Sequence, residues 1–381
     1  MKAIGEGIGA RAVFWGSALA LAHTHLTYPL TLAVLERLRG RREPAPPPAD
    51  WDPRVSLIVA AHDEAEVIER KLANVALLDY PRERLEVIVA SDGSEDRTAE
   101  LARAGGADLV LDLPRAGKIA AQNAAVERAS GELLAFSDAN AYWEPEALRE
   151  LVAPFAASDV GYVCGQVRFL DADGDSEEGA YWRYEMWVRE LESGQAGVTA
   201  GNGGIYAVRR SAYGFLAGSR SHDLNFPFQL AKAGFRSLYA PRARAEEKLV
   251  PDLGGEFRRK RRMMRGIWDI VVTDGMLDPR GYSPLYAYEV YSHRVLRYAS
   301  PKLHAWLLLA NLRLIGRSRF YLLTLAAQLL VLLSPWLPGS SNRLVRVVRY
   351  YTLVTASIAL GTLDRFRDGP PAAWEKSEGT R

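Results

Sequence analysis

The chain has 381 residues, 48% hydrophobic and 25% charged, which is too apolar for a disordered chain and long enough for more than one domain-sized unit. Its 48 Lys and Arg against 46 Asp and Glu leave a net charge of +2, which argues against a nucleic-acid binder working through a broad basic face. The one cysteine, Cys164, excludes a disulfide framework and an intrachain Cys-rich zinc or iron–sulfur site. The ends are apolar and the middle is not.

Ala12 to Leu35 carries no charged side chain, with Arg11 and Glu36 as its bounds. A helix of that length rises about 36 Å, enough to cross a hydrocarbon core of about 30 Å. A cleaved signal peptide would have a shorter apolar core and a small-residue cleavage site, and no good site is present. Arg37, Arg39, Arg41 and Arg42 follow, while only Lys2 and Arg11 precede, so the positive-inside rule puts the rest in the cytoplasm. Five prolines between Glu43 and Pro53 predict a stiff, extended linker.

Val55 to Ala61 (VSLIVAA) is the short apolar run of a strand buried on both faces. Val67, Ile68, Leu72 and Val75 give helical spacing over Glu64 to Leu78. Glu86 to Ser91 predicts a second strand, and Ser94 can cap a helix running to about Arg103. Leu109 to Leu111, Lys118 to Ala129 and Leu133 to Phe136 continue as strand, helix and strand; Val160 to Val167 reads as a further apolar strand with Cys164 inside. The alternation predicts an α/β domain with a mostly parallel sheet, whose ligands bind beyond the carboxyl ends of the strands. From Leu303 to Leu363 the chain is apolar again. Tyr321 to Leu337 is the clearest span there, and two or three C-terminal spans are expected, some of which could lie in the interface.

The strand ends hold the polar residues. The first ends in Ala61-His62-Asp63-Glu64, the second in Ser91-Asp92-Gly93-Ser94-Glu95-Asp96, the fourth in Ser137-Asp138-Ala139-Asn140. Singly these read as helix caps. Together they bring carboxylates to one edge, and Asp138 and Asn140 can both offer oxygen to one hard cation. No G-x-x-x-x-G-K-[ST] or G-x-G-x-x-G turn is present, which argues against P-loop and dinucleotide folds.

These motifs, in this order, resemble the family 2 glycosyltransferases. The resemblance runs through VSLIVAAHDEAEVIERKLANVALLDYP, EVIVASDGSEDRT, GKIAAQNAA, FSDAN in the place of D-x-D, EGAYWRYE, GNGGIYAVRR, Asp223 and EFRRKRRMMRG, covering about Val55 to Trp268. It implies a GT-A nucleotide-sugar-binding fold flanked by N- and C-terminal transmembrane helices. The implied division is an anchor (1–40), a linker (41–53), a cytoplasmic GT-A domain (54–275), an interfacial connection (276–302), a C-terminal membrane region (303–365) and a polar tail (366–381). The implied activity is inverting transfer of a sugar from a nucleotide-diphosphate sugar, a UDP-sugar for preference, to a lipid-linked or saccharide acceptor in envelope or exopolysaccharide synthesis. Membrane lipids would be the other partner, with no nucleic acid.

Residue by residue, the resemblance puts Ala61, His62 and Glu64 around base and ribose, with Asp92 on the nucleobase or ribose and Lys118 near the nucleotide. Asp138 and Asn140 would hold Mg2+ or Mn2+ against the diphosphate, although an amide stands where the motif has its second acid. Asp223 corresponds to the catalytic base, with His222 replacing the first acid of that pair. Arg262 matches the arginine of Q-x-x-R-W, with Arg259 for Gln and Met263 for Trp; the missing aromatic argues against the alternative of a processive polysaccharide synthase. A non-catalytic scaffold of an envelope assembly complex is the other alternative, and turnover of nucleotide-sugars separates it from an enzyme.

Four features have simpler readings. The remaining cations of Arg258 to Arg262 suit a solvated or lipid-facing helix. Tyr181, Trp182, Tyr184 and Trp187 suit packing or an interfacial belt, with a sugar-stacking acceptor platform as the alternative. Gly201, Gly203 and Gly204 suit close backbone approach in an acceptor-side loop. His23, His25 and His293 show no ligand spacing with acidic partners.

Overall fold

The computed structural model describes residues 2–170, 177–217, 220–248, 253–336 and 342–369. The expected polar tail from 370 onward lies outside these. The chain enters as α1 (Lys2–Ala22), passes a π-helical turn (His23–Thr27) and continues as α2 (Tyr28–Arg39). The apolar run does not stay in one environment. Tyr28 and Leu32 in α2 are buried against Val188 and Leu191, far along the chain.

The sheet grows from the expected apolar runs. Strand β1 (Val55–Ala61) is buried at all seven positions. It is followed by α3 (Ile68–Ala76), β2 (Leu85–Asp92), α4 (Thr98–Ala104), β3 (Leu109–Leu113), α5 (Lys118–Arg128) and β4 (Leu133–Asp138). The four strands pair in parallel in the order β3-β2-β1-β4. Ala61 pairs with Ser91 and Ala60 with Asp138, so the polar strand ends finish side by side. Then come β5 (Tyr142–Trp143), α6 (Ala147–Val152), β6 (Val160–Leu170), α7 (Glu177–Gln195), β7 (Ile205–Arg209), α8 (His222–Lys232) and β8 (Arg236–Lys248). The full order is β3-β2-β1-β4-β7-β6-β8-β5, with β7 antiparallel to β4 and β6, and β6 parallel to β8. Two apolar cores cover the faces, and Cys164 is buried in one, as expected.

Two helices begin later than their periodicity predicts. The first, expected from Glu64, starts at Ile68, because Asp63 to Ala65 are tied to the next acidic turn. Glu64 N–H donates to Thr98 Oγ1 (2.7 Å), Ala65 N–H to Asp96 Oδ2 (3.0 Å), and Glu95 N–H to Asp63 Oδ1 (2.7 Å). The second begins at Thr98, without a cap from Ser94; Asp96 Oδ1, just before it, accepts from Thr98 N–H at 2.9 Å. Side chains that bond nearby backbone compete with helix in this way.

Beyond the sheet lie α9 (Leu253–Met264), a π turn (Asp269–Thr273), α10 (Pro284–Glu289), a third π turn (Val290–Val295), α11 (Leu296–Leu314), α12 (Arg319–Leu333) and α13 (Arg343–Asp368). Within the connection 276–302, Met276, Tyr286 and Val290 bury against Phe228 and Ile270. Ala10 and Phe14 of α1 pack on Ala310 and Leu314 of α11 and on Tyr321 of α12. Gly9–Arg39, Arg319–Trp336 and Leu344–Asp368 are long and apolar enough to cross a membrane. The last of these also packs on the domain: Tyr350 lies 5.0 Å from the Tyr181 ring, and Arg261 pairs with Asp364 and Arg365 with Asp269, both bidentate at 2.6–2.9 Å.

Candidate active site

The ends of β1 and β2 interlock. His62 Nδ1 donates to the Asp92 carbonyl at 2.9 Å, and Ala61 and Glu64 beside it are buried. The buried Asp92 carboxylate accepts from Ala116 N–H (2.7 Å) and Gly117 N–H (2.9 and 3.0 Å). It therefore shapes the turn before α5. Gly117 takes φ +95° there, a conformation that favours glycine, and the next residue is Lys118. A carboxylate on one strand end thus fixes where a cation on the next helix begins.

The Lys118 amine forms an ion pair with Asp138. Burial works against its charge, yet Asp138, Asp223 and Glu247 together hold it above the ordinary lysine value. Lys118, Asp138 and Asp223 are therefore brought together as expected, and Glu247 on β8 joins them. A Cβ on Gly204 would overlap the Glu247 carboxylate and lie 3.5 Å from Ala141 Cβ, so this glycine lets β8 close on the β4–β5 turn. Below that turn the fully buried Lys71 donates to the Ala141 carbonyl at 2.5 Å. Its burial pulls it down to about 7, against the opposing pull of Asp138 and Glu247. Neither Glu247 nor Lys71 was read as a site residue. The signal for Glu247 was the alternation of buried Ala243 and Ala245 with polar neighbours, which places a strand end two residues on.

Asn140 sits in the β4–β5 turn, where Ala141 N–H donates to the Asp138 carbonyl at 3.2 Å. Among the described residues no three His, Cys, Asp or Glu side chains group closely enough to hold a metal by themselves. One carboxylate, an amide oxygen and a nearby second carboxylate are still hard oxygen donors. They suit an ion such as Mg2+, which binds through one or two carboxylates with substrate phosphates completing its shell.

Asp223 occupies the first turn of α8. Its carboxylate accepts from Ser221 Oγ and its carbonyl from Gly201 N–H at 2.7 Å. His222 does not join it. The ring packs into a buried aromatic box of Phe136, Tyr206, Tyr213 and Phe226. Its Nδ1 lies 2.7 Å from the Tyr206 hydroxyl, and burial pushes it down to about 3. With both ring nitrogens facing the Tyr206 and Tyr213 hydroxyls and its basicity lowered by burial, this imidazole is poorly placed to take a proton from an acceptor.

Arg262 is half-buried on α9. Three of its neighbours have acidic partners, Arg259 and Lys260 on Glu256 and Arg261 on Asp364, while Arg258 is exposed. The aromatic residues pack rather than form one platform. Trp182 Nε1 donates to the Val167 carbonyl (2.8 Å) and Tyr184 to the His25 carbonyl (3.0 Å), while Trp187 is exposed. His293, which shows no metal-ligand spacing in the sequence, lies 2.6 Å from Glu192 and 3.6 Å from Glu185. Sequence separations of about a hundred residues hide such a pairing from periodicity.

With that geometry in view, the comparisons are specific. Residues 56–214 match the family model described as Glycosyl transferase family 2. The chain carries a glycosyl transferase family 2 domain. Glycosyltransferase AglE of Haloferax volcanii is 31% identical over 134 residues, covering 34% of this chain and 44% of the relative. A beta-monoglucosyldiacylglycerol synthase of Synechocystis sp. is 31% identical over 221 residues, covering 51% and 43%. The chain spans about half the length of the curated relatives it matches. The mannosyltransferase PcManGT from Pyrobaculum calidifontis, solved in complex with GDP-Man and Mn2+, has a TM-score of 0.72 at 23% identity. It covers 96% of this chain and 99% of its own. That likeness establishes the GT-A fold and includes most of the terminal helices.

Proposed function

We propose that this chain transfers a sugar from a nucleotide-diphosphate sugar to a lipid-linked or saccharide acceptor at a membrane, inverting the configuration at the sugar carbon. The observation that carries the reading is the gathering of Asp138, Asp223 and Glu247 around Lys118 at the carboxyl ends of the parallel strands. In open α/β sheets that edge is where ligands bind.

In this reading His62, Asp92 and the neighbouring Ala61 and Glu64 receive the base and ribose. Asp138 and Asn140 would hold a divalent cation, which neutralises charge on the diphosphate when bound. Lys118 and Arg262 add fixed positive charge on the same side. Asp223 takes the acceptor hydroxyl proton as the acceptor oxygen bonds to the sugar carbon and the bond from that carbon to the diphosphate oxygen breaks. A single base on the face opposite the leaving group gives inversion, with no covalent intermediate. PcManGT binds GDP-Man, so GDP-sugars stand beside UDP-sugars as donor candidates. Relatives named for a glycolipid synthase and for a poly-beta-1,6-N-acetyl-D-glucosamine synthase support lipid or saccharide acceptors. The four arginines after α1 favour a cytoplasmic catalytic domain, in a plasma or inner membrane.

The test is turnover of a panel of UDP- and GDP-sugars by the full chain in detergent, with Mg2+ or Mn2+ and with excess chelator. Metal-dependent turnover of one donor is expected. No turnover of any donor with lipid and saccharide acceptors present would favour the scaffold reading.

A further inference from the structure

We infer that Thr199, gripped by the buried Glu192, is a positioning residue that couples α2 and the π turn before α11 to the loop holding Asp223. The inference rests on the reading of Asp223 as the base.

Thr199 and Glu192 are both wholly buried. Thr199 N–H and Oγ1 each reach Glu192 at 3.1 Å, and Arg294 Nε donates to Thr199 Oγ1 at 2.8 Å. The same carboxylate accepts from the Tyr28 hydroxyl at 2.7 Å and from His293 Nδ1 at 2.6 Å. A buried carboxylate is tolerated only when such partners surround it. Here they come from α2, from the π turn before α11, and from the loop after α7. The π turn before α2 and the one before α11 are themselves joined, with His23 Nε2 2.9 Å from Ser292 Oγ. Inserted π turns often mark functional positions in helices.

The loop then runs straight to the site. Two residues past Thr199, Gly201 N–H donates to the Asp223 carbonyl at 2.7 Å. Arg189 of α7 holds the Gly201 carbonyl at 3.0 Å and Asn202 Oδ1 at 2.7 Å. Gly204 sits against Glu247. The backbone that places the base is thus fixed at one end by groups from α2, α7 and the π turn before α11. A base displaced by about 1 Å can cost about 10²-fold in rate.

Two near-isosteric substitutions separate positioning from packing. Thr199→Val keeps the shape and removes the hydroxyl; Thr199→Ser keeps the hydroxyl and removes a methyl. With the full chain in detergent, Thr199→Val should lower kcat for transfer about tenfold or more with donor KM within about twofold. Thr199→Ser should restore kcat to within about threefold of wild type. Tyr28→Phe, a single oxygen removed from the N-terminal helix, should lower kcat in the same direction with donor KM unchanged. It keeps the test readable if Thr199→Val fails to fold. Wild-type kcat in Thr199→Val, or a larger loss in Thr199→Ser than in Thr199→Val, overturns the coupling. Asp223→Asn is measured alongside. Full turnover in that variant removes the base assignment whatever Thr199 does, whereas an inactive Asp223→Asn beside a fully active Thr199→Val overturns the coupling alone.

Discussion

Replacing Lys118 by Met keeps a long stem and removes a charge near which Asp138, Asp223 and Glu247 lie. The paired side chains of Lys118 and Asp138 are 22% and 25% exposed, so solvent screens them only in part. Two unit charges about 4 Å apart at an effective dielectric of about 20 interact by about 4 kcal/mol. Partial exposure and sharing among three carboxylates bring the share available to a leaving diphosphate down to about 2–3 kcal/mol. At 1.36 kcal/mol per tenfold, Lys118→Met should lower kcat/KM for the donor about 30- to 150-fold. A second effect has the opposite sign. The ammonium competes with any cation for Asp138, so Mn2+ titrated alone, without nucleotide, should bind more tightly to Lys118→Met than to wild type, as read by electron paramagnetic resonance. Turnover within about threefold of wild type, or weaker Mn2+ binding in the variant, would refute the electrostatic role given to Lys118.

Asp223→Asn should lose about 10²–10⁴-fold in transfer rate with donor KM nearly unchanged; a weakened donor KM with intact kcat would place the residue on the nucleotide instead. His222→Phe should keep transfer within a few-fold and change the pH dependence of stability. Burial holds the folded imidazole down at about 3, from the ordinary 6.5, so only the unfolded chain takes up that proton as pH falls. The contribution is full above 6.5 and is lost on acidification towards 3. Thermal melts from about pH 7 to about pH 4 should show a shallower slope in the variant, and an unchanged slope would refute this. Cys164 is wholly buried and silent to labelling. A cysteine placed at Ala45, just after the first candidate span, should therefore react only from the cytoplasmic side of sealed vesicles; labelling only from the opposite side inverts the orientation.

The parallel half of the sheet is legible because strands buried on both faces leave apolar runs that nothing else explains, as Val55–Ala61 does. Its polar strand ends are legible for the same reason: a hydrophobic run stops where the chemistry begins. The second half is harder. Strand β8 reads RSLYAPRARAEEK, and its outer part pairs with the two-residue β5, so half of it carries edge polarity and a proline. Glu247 was lost with it. The acidic turns misled in the other direction, because periodicity counts Val67 to Val75 but not the side chains that take up the N–H groups of residues 64 and 65. His222 shows the limit of motif matching. It stands where an acid is expected, yet the aromatic box that claims its ring is assembled from four separate segments.

Apolar composition suits hydrocarbon and protein interior equally, and partners decide between them. Tyr28 and Leu32 end the first apolar run against α7, and Asp364 and Arg365 tie the last helix to α9 and the turn after it. The terminal helices, long and apolar enough to cross a membrane, are therefore also part of the domain's packing. A chain cut to residues 54–275 would strip Glu192 of Tyr28 and His293 and uncover Val188 and Leu191. A buried charge deprived of its partners costs about 3–5 kcal/mol, and if water enters to solvate it the exposed apolar side chains cost about 1.5–3 kcal/mol each. Against a total stability of about 5–15 kcal/mol, either route removes a large share. The excised domain should unfold well below the full chain in a thermal melt, and Glu192→Met in the excised domain should recover part of the loss by replacing the stranded charge with an apolar side chain. An excised domain as stable as the full chain would mean that the terminal helices only tether it, and the link from Tyr28 through Glu192 to Thr199 would then have no energetic basis.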